Sequence, residues 1–209
     1  MNKVDIYGEL ADKLAIADLI QFERLYRDQR QWDRLRTMYH PDAVIRLGWF
    51  VGSADEYIAS SRLLDANKGG WHIMHVTHPT LVQVQGERAI AETTTFIVRR
   101  ANINGILVDI TIYCLLYSRV ERREGAWRLL TFDVVYEKDT MVPVNPADRL
   151  ELNWEELERE PAAYRFSAYN LRKIGRNVRF DDLYSTDRPE RVAELYRAAE
   201  DWLYQERLT

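Results

Sequence analysis

The chain has 209 residues, of which 46% are hydrophobic and 30% charged, and a formal net charge of −4 at pH 7. This length suits one sizeable domain with an appendage, and a negative charge without a basic cluster argues against a nucleic-acid partner. No apolar run approaches the ~20 residues of a membrane helix, and the N-terminus lacks the pattern of a signal or transit peptide. We therefore expect no membrane partner and a cytoplasmic location.

The first half of the chain predicts three helices and a short strand region. Apolar residues recur at near-helical spacing over 9–31, which predicts a long amphipathic helix. A second, short helix starts near Trp32 and ends at "HPD" (40–42), because the residue before a proline is kept out of the helical conformation. The segment "AVIRLGWFVG" then predicts one or two strands around Gly48, and "ADEYIASSRLLDAN" predicts a third helix.

The middle of the chain predicts a long antiparallel meander. Runs rich in β-branched and aromatic residues are separated by turn signals at Gly86, Asn104-Gly105 and Glu124-Gly125. Strands of this length must twist, so the sheet is expected to curl around the preceding helices. The single Cys114 excludes internal disulfides, and its apolar surroundings, "TIYCLLY", are typical of an unreactive thiol.

The strand predicted over 106–120 has two different faces. One face is entirely apolar, and the other is mixed and carries Thr111 and Tyr113. The mixed face could be partly exposed to solvent or could form the wall of a pocket, and both interpretations stay open. The apolar face needs covering, which favours a homo-oligomer, either a dimer or a trimer.

The last third of the chain predicts helices again. A linker, "VPVNPADRL" (142–150), precedes three predicted helices, the last of which has Ser185 or Thr186 near its start and Pro189 and Glu190 in its first turn. We therefore divide the chain into an α+β domain over 1–141 and a helical extension over 142–209 that packs on the same domain. The extension could be a packing cap, an oligomer contact or a lid over a pocket.

Three of the four histidines, His72, His75 and His78, lie within "GWHIMHVTHP" (70–79). A zinc site needs ligands that converge on one point, whereas alternate residues of a strand point to opposite sides. The segment also lacks a Cys pair or an HExxH pattern, so no metal is expected. His72 and His78 are interpreted as structural residues.

His75 differs because of Asp28. This carboxylate lies near the C-terminal end of the first helix, where the helix dipole disfavours negative charge. It is compensated either by solvent and the neighbouring arginines or by a hydrogen bond to a histidine, which would fix the tautomer of the ring and raise its basicity. Spacing alone does not choose between the two.

The order of these elements, with "QWDRLRTMYHPDAVI" after the first helix and a histidine on the strand after the third, resembles the SnoaL-like, or nuclear-transport-factor-two-like, superfamily. Within it, residues 9–140 are most similar to the scytalone dehydratase branch and to hexachlorocyclohexane dehydrochlorinase. The resemblance implies an α+β cone, in which a curved mixed sheet wraps around helices and encloses a pocket. It also implies elimination without a cofactor, with Asp28 and His75 as the catalytic pair.

The chain departs from the scytalone dehydratase pattern at other positions. Where that family has two tyrosines and a second histidine, this chain has Arg27, Leu47 and Arg99, so scytalone itself is not an expected substrate. A permanently charged guanidinium at Arg99 suits an anionic or phenolic oxygen. For Tyr26 and Tyr39, core packing is the alternative to substrate contact. The residues expected to bind substrate are Arg99, Thr111, Tyr113, Tyr26 and Tyr39.

These observations favour a cofactor-independent lyase of the dehydratase type. In this hypothesis His75, oriented by Asp28, abstracts a proton from a hydrophobic small molecule, aromatic or polycyclic. The same base would serve an isomerase, or a lyase that releases formaldehyde from lignin-derived diaryl propanoids. A small-molecule binding module without catalysis is the alternative from a different class, since a fold does not determine a function.

Overall fold

The computed structural model describes residues 6–66, 73–176, 178–179, 181 and 183–205. Three helices of the first part are α1 (Ile6–Asp28), α2 (Trp32–Thr37) and α3 (Ala54–Ala66). The hairpin of β1 (Tyr39–Leu47) and β2 (Phe50–Ser53) lies between α2 and α3. None of the helices in these described ranges is long and apolar enough to cross a membrane.

The central sheet has the strand order β2-β1-β7-β6-β5-β3, with β4 paired to β5 and β8 paired to β7. The pairings of β7 with β1 and with β8 are parallel and the others are antiparallel. This mixed sheet with helices confirms the predicted α+β cone. The remaining strands are β3 (Ile73–Thr77), β4 (Leu81–Gln85), β5 (Arg88–Ile103), β6 (Ile106–Arg123), β7 (Ala126–Pro143) and β8 (Tyr184–Ser185).

Two local features shape the sheet. The hairpin turn between β5 and β6 has positive φ at both Asn104 (53°) and Gly105 (88°), as a type I′ turn requires. The register between β6 and β7 shifts at Tyr113/Cys114 and again at Arg119/Val120. Such bulges bend a strand and increase its twist, so they curve the sheet around α1.

The apolar face of β6 points into the concave side of this sheet. Ile110, Ile112 and Leu116 are buried in one core with Ile16 and Ile20 of α1. The face is therefore covered from within the chain, and the argument that it needs a second subunit is wrong. Oligomerisation itself stays a prediction.

The extension after β7 covers the domain on two sides. It comprises α4 (Trp154–Leu157), a 3₁₀ turn (Ala162–Tyr164), α5 (Arg165–Lys173) and α6 (Pro189–Tyr204). The segment around Tyr164 joins the main core, whereas α6 packs through Leu195 on Tyr117 and Val135, on the other side of the sheet. The last helix starts at Pro189, so Pro189 and Glu190 lie in its first turn as predicted, whereas Ser185 belongs to β8. The domain boundary at residue 141 stays a prediction.

Candidate active site

A narrow cavity of about 60 Å³ lies between the concave face of the sheet, α1, α3 and α5. Apolar side chains from β1, β3, β5, β6 and β7 make most of its wall. The polar groups that reach the cavity come from three arginines, three tyrosines and one histidine: Arg24, Arg27, Arg99, Tyr57, Tyr136, Tyr164 and His75. Titratable groups that converge in an apolar enclosure are typical of a binding or catalytic site.

Asp28 and His75 are in direct contact. Asp28 is the last residue of α1 and His75 is the central residue of β3. The His75 Nδ1 lies 2.6 Å from the Asp28 Oδ1, and the His75 backbone N–H donates to the Asp28 Oδ2 at 2.7 Å. Two contacts to one carboxylate fix both the ring and the strand, so a histidine does compensate the helix-end carboxylate. A catalytic role for the pair stays a prediction.

Arg24 determines which nitrogen of His75 carries the proton. Its Nη1 lies 3.3 Å from the His75 Nε2, and a guanidinium can only donate hydrogen bonds. The Nε2 is therefore the acceptor, and the proton is on Nδ1, which donates to Asp28. Burial lowers the pKa of His75 below its usual value, Asp28 raises it, and the charge of Arg24 lowers it again. The net lowering keeps the ring neutral near pH 7.

The carboxylate of the pair stays ionised. Burial alone would raise the pKa of Asp28, but the hydrogen bonds and the charge interaction with His75 outweigh burial, and the net pKa is lowered. An ionised Asp28 beside a neutral imidazole can stabilise the imidazolium that forms when His75 accepts a proton.

Arg24 itself is held by a buried network that sequence reasoning missed. The fully buried Glu23 accepts hydrogen bonds from Arg24 and from the Tyr39 hydroxyl. Arg24 also donates to the Tyr57 hydroxyl at 3.3 Å and lies 4.5 Å from the centre of the Phe132 ring. The signal for Glu23 was its place on the buried stripe of α1, where a carboxylate needs a partner.

The predicted substrate contacts of Tyr26 and Tyr39 are wrong. Tyr39 is buried, and its hydroxyl donates to Glu23 and not to the cavity. Tyr26 stacks on Phe22 with ring centres 5.7 Å apart, and Arg34 lies over its ring. Neither tyrosine lines the cavity, so core packing, the alternative for both, describes them correctly.

Thr111 and Tyr113 also lie away from the cavity. Ile112 lines it, and neighbouring residues of a strand point to the opposite face. Tyr113 packs edge-on against Phe96, with ring centres 4.9 Å apart, and the Lys138 ammonium lies 4.8 Å from the centre of its ring. The interpretation of the mixed face of β6 as a pocket wall is wrong, because the all-apolar face forms that wall.

Arg99, Arg27 and Leu47 do line the cavity. Arg99 is 7% exposed, and burial lowers its pKa while Tyr164, Asp139 and Tyr136 act against this lowering. Arg27 donates to both carboxylate oxygens of Asp65, at 3.1 and 3.2 Å. The three positions where the chain departs from the scytalone dehydratase pattern are thus brought together at one cavity.

The extension contributes Tyr164 and Leu171 to the wall. The Tyr164 ring lies 4.3 Å from the Tyr136 ring, and the Tyr136 hydroxyl accepts the Gly48 N–H at 3.0 Å. A Cβ at Gly48 would lie 2.9 Å from the Tyr164 ring, so this close approach needs glycine. No local sequence pattern predicts a contact between segments so far apart in the chain.

His40 and His78 have structural surroundings. His78 is exposed, with Nδ1 3.2 Å from the Thr94 carbonyl oxygen, and His40 is buried with Nε2 2.9 Å from the Glu121 carbonyl oxygen. His72 lies outside the described residues. Within the described ranges, no three side chains of His, Cys, Asp or Glu are grouped as metal ligands.

Residues 8–133 match the SnoaL-like domain family, so the chain belongs to this family. It is 29% identical to Pea pathogenicity protein 2 of Fusarium vanettenii over 94% of the chain and 88% of that protein. This match reaches beyond the family domain into the extension.

Two solved structures from Novosphingobium share the fold. One is a putative scytalone dehydratase from N. aromaticivorans, with a TM-score of 0.55 and 15% identity over 68% of this chain and 97% of that chain. The other is a hexachlorocyclohexane dehydrochlorinase from N. barchaimii, with a TM-score of 0.53 and 20% identity over 69% and 97%. Identities this low show the fold alone. The family match ends at residue 133, before Tyr136, Tyr164 and Leu171.

Proposed function

We propose that the protein is a cofactor-independent lyase that uses His75 as its general base. One observation carries the proposal: the Nδ1 of His75 is held by Asp28, and His75 lines an enclosed, largely apolar cavity together with Arg24, which contacts its Nε2. A neutral imidazole in this state can accept a proton from carbon near pH 7. The substrate is a hydrophobic small molecule, aromatic or polycyclic.

The reaction is an elimination. The Nε2 accepts the proton of a substrate C–H bond, and the electron pair of that bond forms a new double bond while the leaving group departs from the adjacent carbon. For a hydroxyl leaving group, the imidazolium returns the proton and water leaves. Asp28 stabilises the imidazolium between these steps, and general base catalysis of this kind contributes roughly 10²- to 10⁴-fold to the rate.

Negative charge that develops on a substrate oxygen meets several donors. Arg99, Tyr57, Tyr136 and Tyr164 line the same cavity. Donors that are held in place before the reaction stabilise such charge most effectively, because they need no reorganisation. Arg24, now beside Nε2, can turn its N–H toward a substrate oxygen when the C–H bond approaches the base.

The printed names of the two structural neighbours are those of eliminating enzymes, a dehydratase and a dehydrochlorinase. This agrees with the proposal, although the site geometry and not these names supports it. The chain replaces three residues of the dehydratase pattern, so its substrate differs from scytalone.

The proposal is tested by hydrogen exchange at carbon. Hydroxylated aromatic compounds and ketones are incubated with the protein in D₂O, and NMR follows the loss of C–H signals and the appearance of products. Loss of water, release of formaldehyde and a shifted double bond distinguish dehydration, formaldehyde release and isomerisation.

The variants His75→Gln and Asp28→Asn should lose this exchange, and His78→Gln, an exposed histidine on the same segment, should keep it. If His75→Gln exchanges as fast as the wild type, the base is assigned wrongly. If compounds bind without exchange and without product formation, the protein is a binding module.

A further inference from the structure

Arg99 is a buried cation with two unsatisfied nitrogen atoms. It is 7% exposed, and its Nε and Nη2 find no hydrogen-bond acceptor in the part of the chain that the structure describes. A buried charge without hydrogen-bonded partners is unfavourable, so such groups are normally paired. Because Arg99 lines the cavity, its missing partner is expected there.

The two free atoms form one edge of the guanidinium. Nε–H and one Nη2–H point in parallel from this edge, which matches the two oxygens of a carboxylate. The protein uses the same edge elsewhere: Arg100 binds Asp109 through Nε at 2.8 Å and Nη2 at 2.9 Å, and Arg122 binds Glu87 through Nε and Nη2, both at 2.8 Å. In Arg99 this edge has no partner among the described residues, and the residue itself lines the cavity.

Asp139, the carboxylate that acts electrostatically on Arg99, does not take this place. It accepts the backbone N–H groups of Phe166 at 3.2 Å and Ser167 at 2.7 Å, at the start of α5. Tyr136 and Tyr164 also act on Arg99 without a hydrogen bond to its free edge.

The strand register places Arg99 close to the base. Arg99 pairs with Ile73, and His75 pairs with Ile97, so Arg99 and His75 are diagonal neighbours on the same face of the sheet. Such positions are roughly 7–8 Å apart. A ligand anchored at Arg99 would present atoms a few bonds away from its anionic group to the Nε2 of His75.

We propose that Arg99 binds a carboxylate of the substrate through its Nε–Nη2 edge, so that the substrate is an apolar carboxylic acid. This inference rests on the proposed function for the role of His75, but the carboxylate site itself needs no catalysis. Apolar residues such as Ile97, Ile112 and Leu171 surround the remaining part of the acid.

Matched acids and amides test the proposal without a reaction. Isobutyrate and isobutyramide have the same shape and fit a small cavity, and benzoate and benzamide repeat the comparison with a ring. Ligand-observed NMR at about pH 7, where the acids are ionised, measures the affinity of each. The wild type should bind each acid about tenfold or more tightly than its amide, as expected for hydrogen bonds to charged groups.

Three variants locate the effect. Arg99→Met should remove the preference for the acid, and Arg99→Lys should keep only part of it, because an ammonium lacks the paired edge. Arg100→Met is the matched control, since Arg100 is the next residue of β5 and points to the other face. Asp28→Asn should keep the preference, which separates this site from the proposed base. Thermal unfolding of each variant verifies that it is folded.

Several results would overturn the proposal. These are equal binding of acid and amide, an acid preference that survives in Arg99→Met, or the absence of any acid binding at millimolar concentration. Competition by inorganic phosphate as effective as that by benzoate would also overturn it, because it would show a site for tetrahedral anions. If the acids bind as expected but none of the hydroxylated aromatic compounds and ketones gives exchange or product in D₂O, the carboxylate site stands and the lyase fails.

Discussion

Replacing Asp28 by asparagine removes one of the two acceptors that His75 uses. In the wild type, each carboxylate oxygen of Asp28 accepts one N–H of His75, from Nδ1 and from the backbone. An amide has one acceptor oxygen and one donor group, so either orientation of the introduced side chain leaves a donor facing a donor. The position is nearly buried, and solvent does not relieve this conflict.

Both orientations predict a measurable cost. One unsatisfied donor destabilises the fold by about 1–3 kcal/mol. If the amide NH₂ faces Nδ1, the ring must carry its proton on Nε2. This proton then faces the Nη1 donor of Arg24, and Nε2 can no longer accept a proton from the substrate. Exchange at carbon should then fall by roughly 10²- to 10⁴-fold, the usual contribution of a general base. Since Asp28 raises the pKa of His75, its loss should also lower that pKa further.

Ring ¹⁵N shifts of histidine measure the tautomer directly, and urea unfolding measures the stability. The wild type should show His75 neutral and protonated at Nδ1 near pH 7, and the variant should not. Asp18→Asn is the matched control, because Asp18 is an exposed residue of the same helix. If Asp28→Asn keeps the Nδ1 tautomer, its stability and its exchange rate, then Asp28 does not orient the base and the reasoning fails.

Three further predictions concern the rest of the fold. Because the folded-state pKa of His75 lies below its unfolded value of about 6.5, the unfolded chain binds the proton more readily. Stability should therefore fall on acidification below about pH 6.5, and His75→Gln should flatten this dependence in urea unfolding. Burial raises the pKa of Cys114 to about 12, so iodoacetamide should modify it only after denaturation. Leu195→Ala should lower the free energy of unfolding by about 2 kcal/mol or more, in a single unfolding transition. Leu14→Ala, at an exposed leucine, should lower it little. A separate early transition would show that α6 folds independently.

The parts of the fold with local signals were predictable. Near-helical periodicity identified α1, and turn dipeptides identified the hairpins between the long strands. The contact of Asp28 with His75 was one of two open explanations for a carboxylate in an unfavourable place, and the family resemblance favoured it. In these cases the residues that determine the structure lie close together in the chain, or form a pattern that a whole family shares.

The sequence did not predict which face of β6 lines the interior. Alternation separated the apolar residues from Thr111 and Tyr113 correctly, but it does not say which face is inside. The curvature of the sheet decides this, because the concave side must exclude water around α1. The contribution of Tyr164 was equally inaccessible, since it depends on how the extension returns to the turn at Gly48.

The buried pair of Glu23 and Arg24 argues for function more than for stability. Burying two charges costs desolvation that their attraction rarely exceeds, and apolar residues at such positions are often as stable. The pair occupies the stripe of α1 that otherwise carries core residues such as Ile16 and Ile20. What it provides is a guanidinium held 3.3 Å from the His75 Nε2, in a network with the Tyr39 and Tyr57 hydroxyls. Under the proposed function, the chain places a guanidinium beside the base at the expense of a simpler core, and its Nη1–H gives way at Nε2 to the substrate C–H bond.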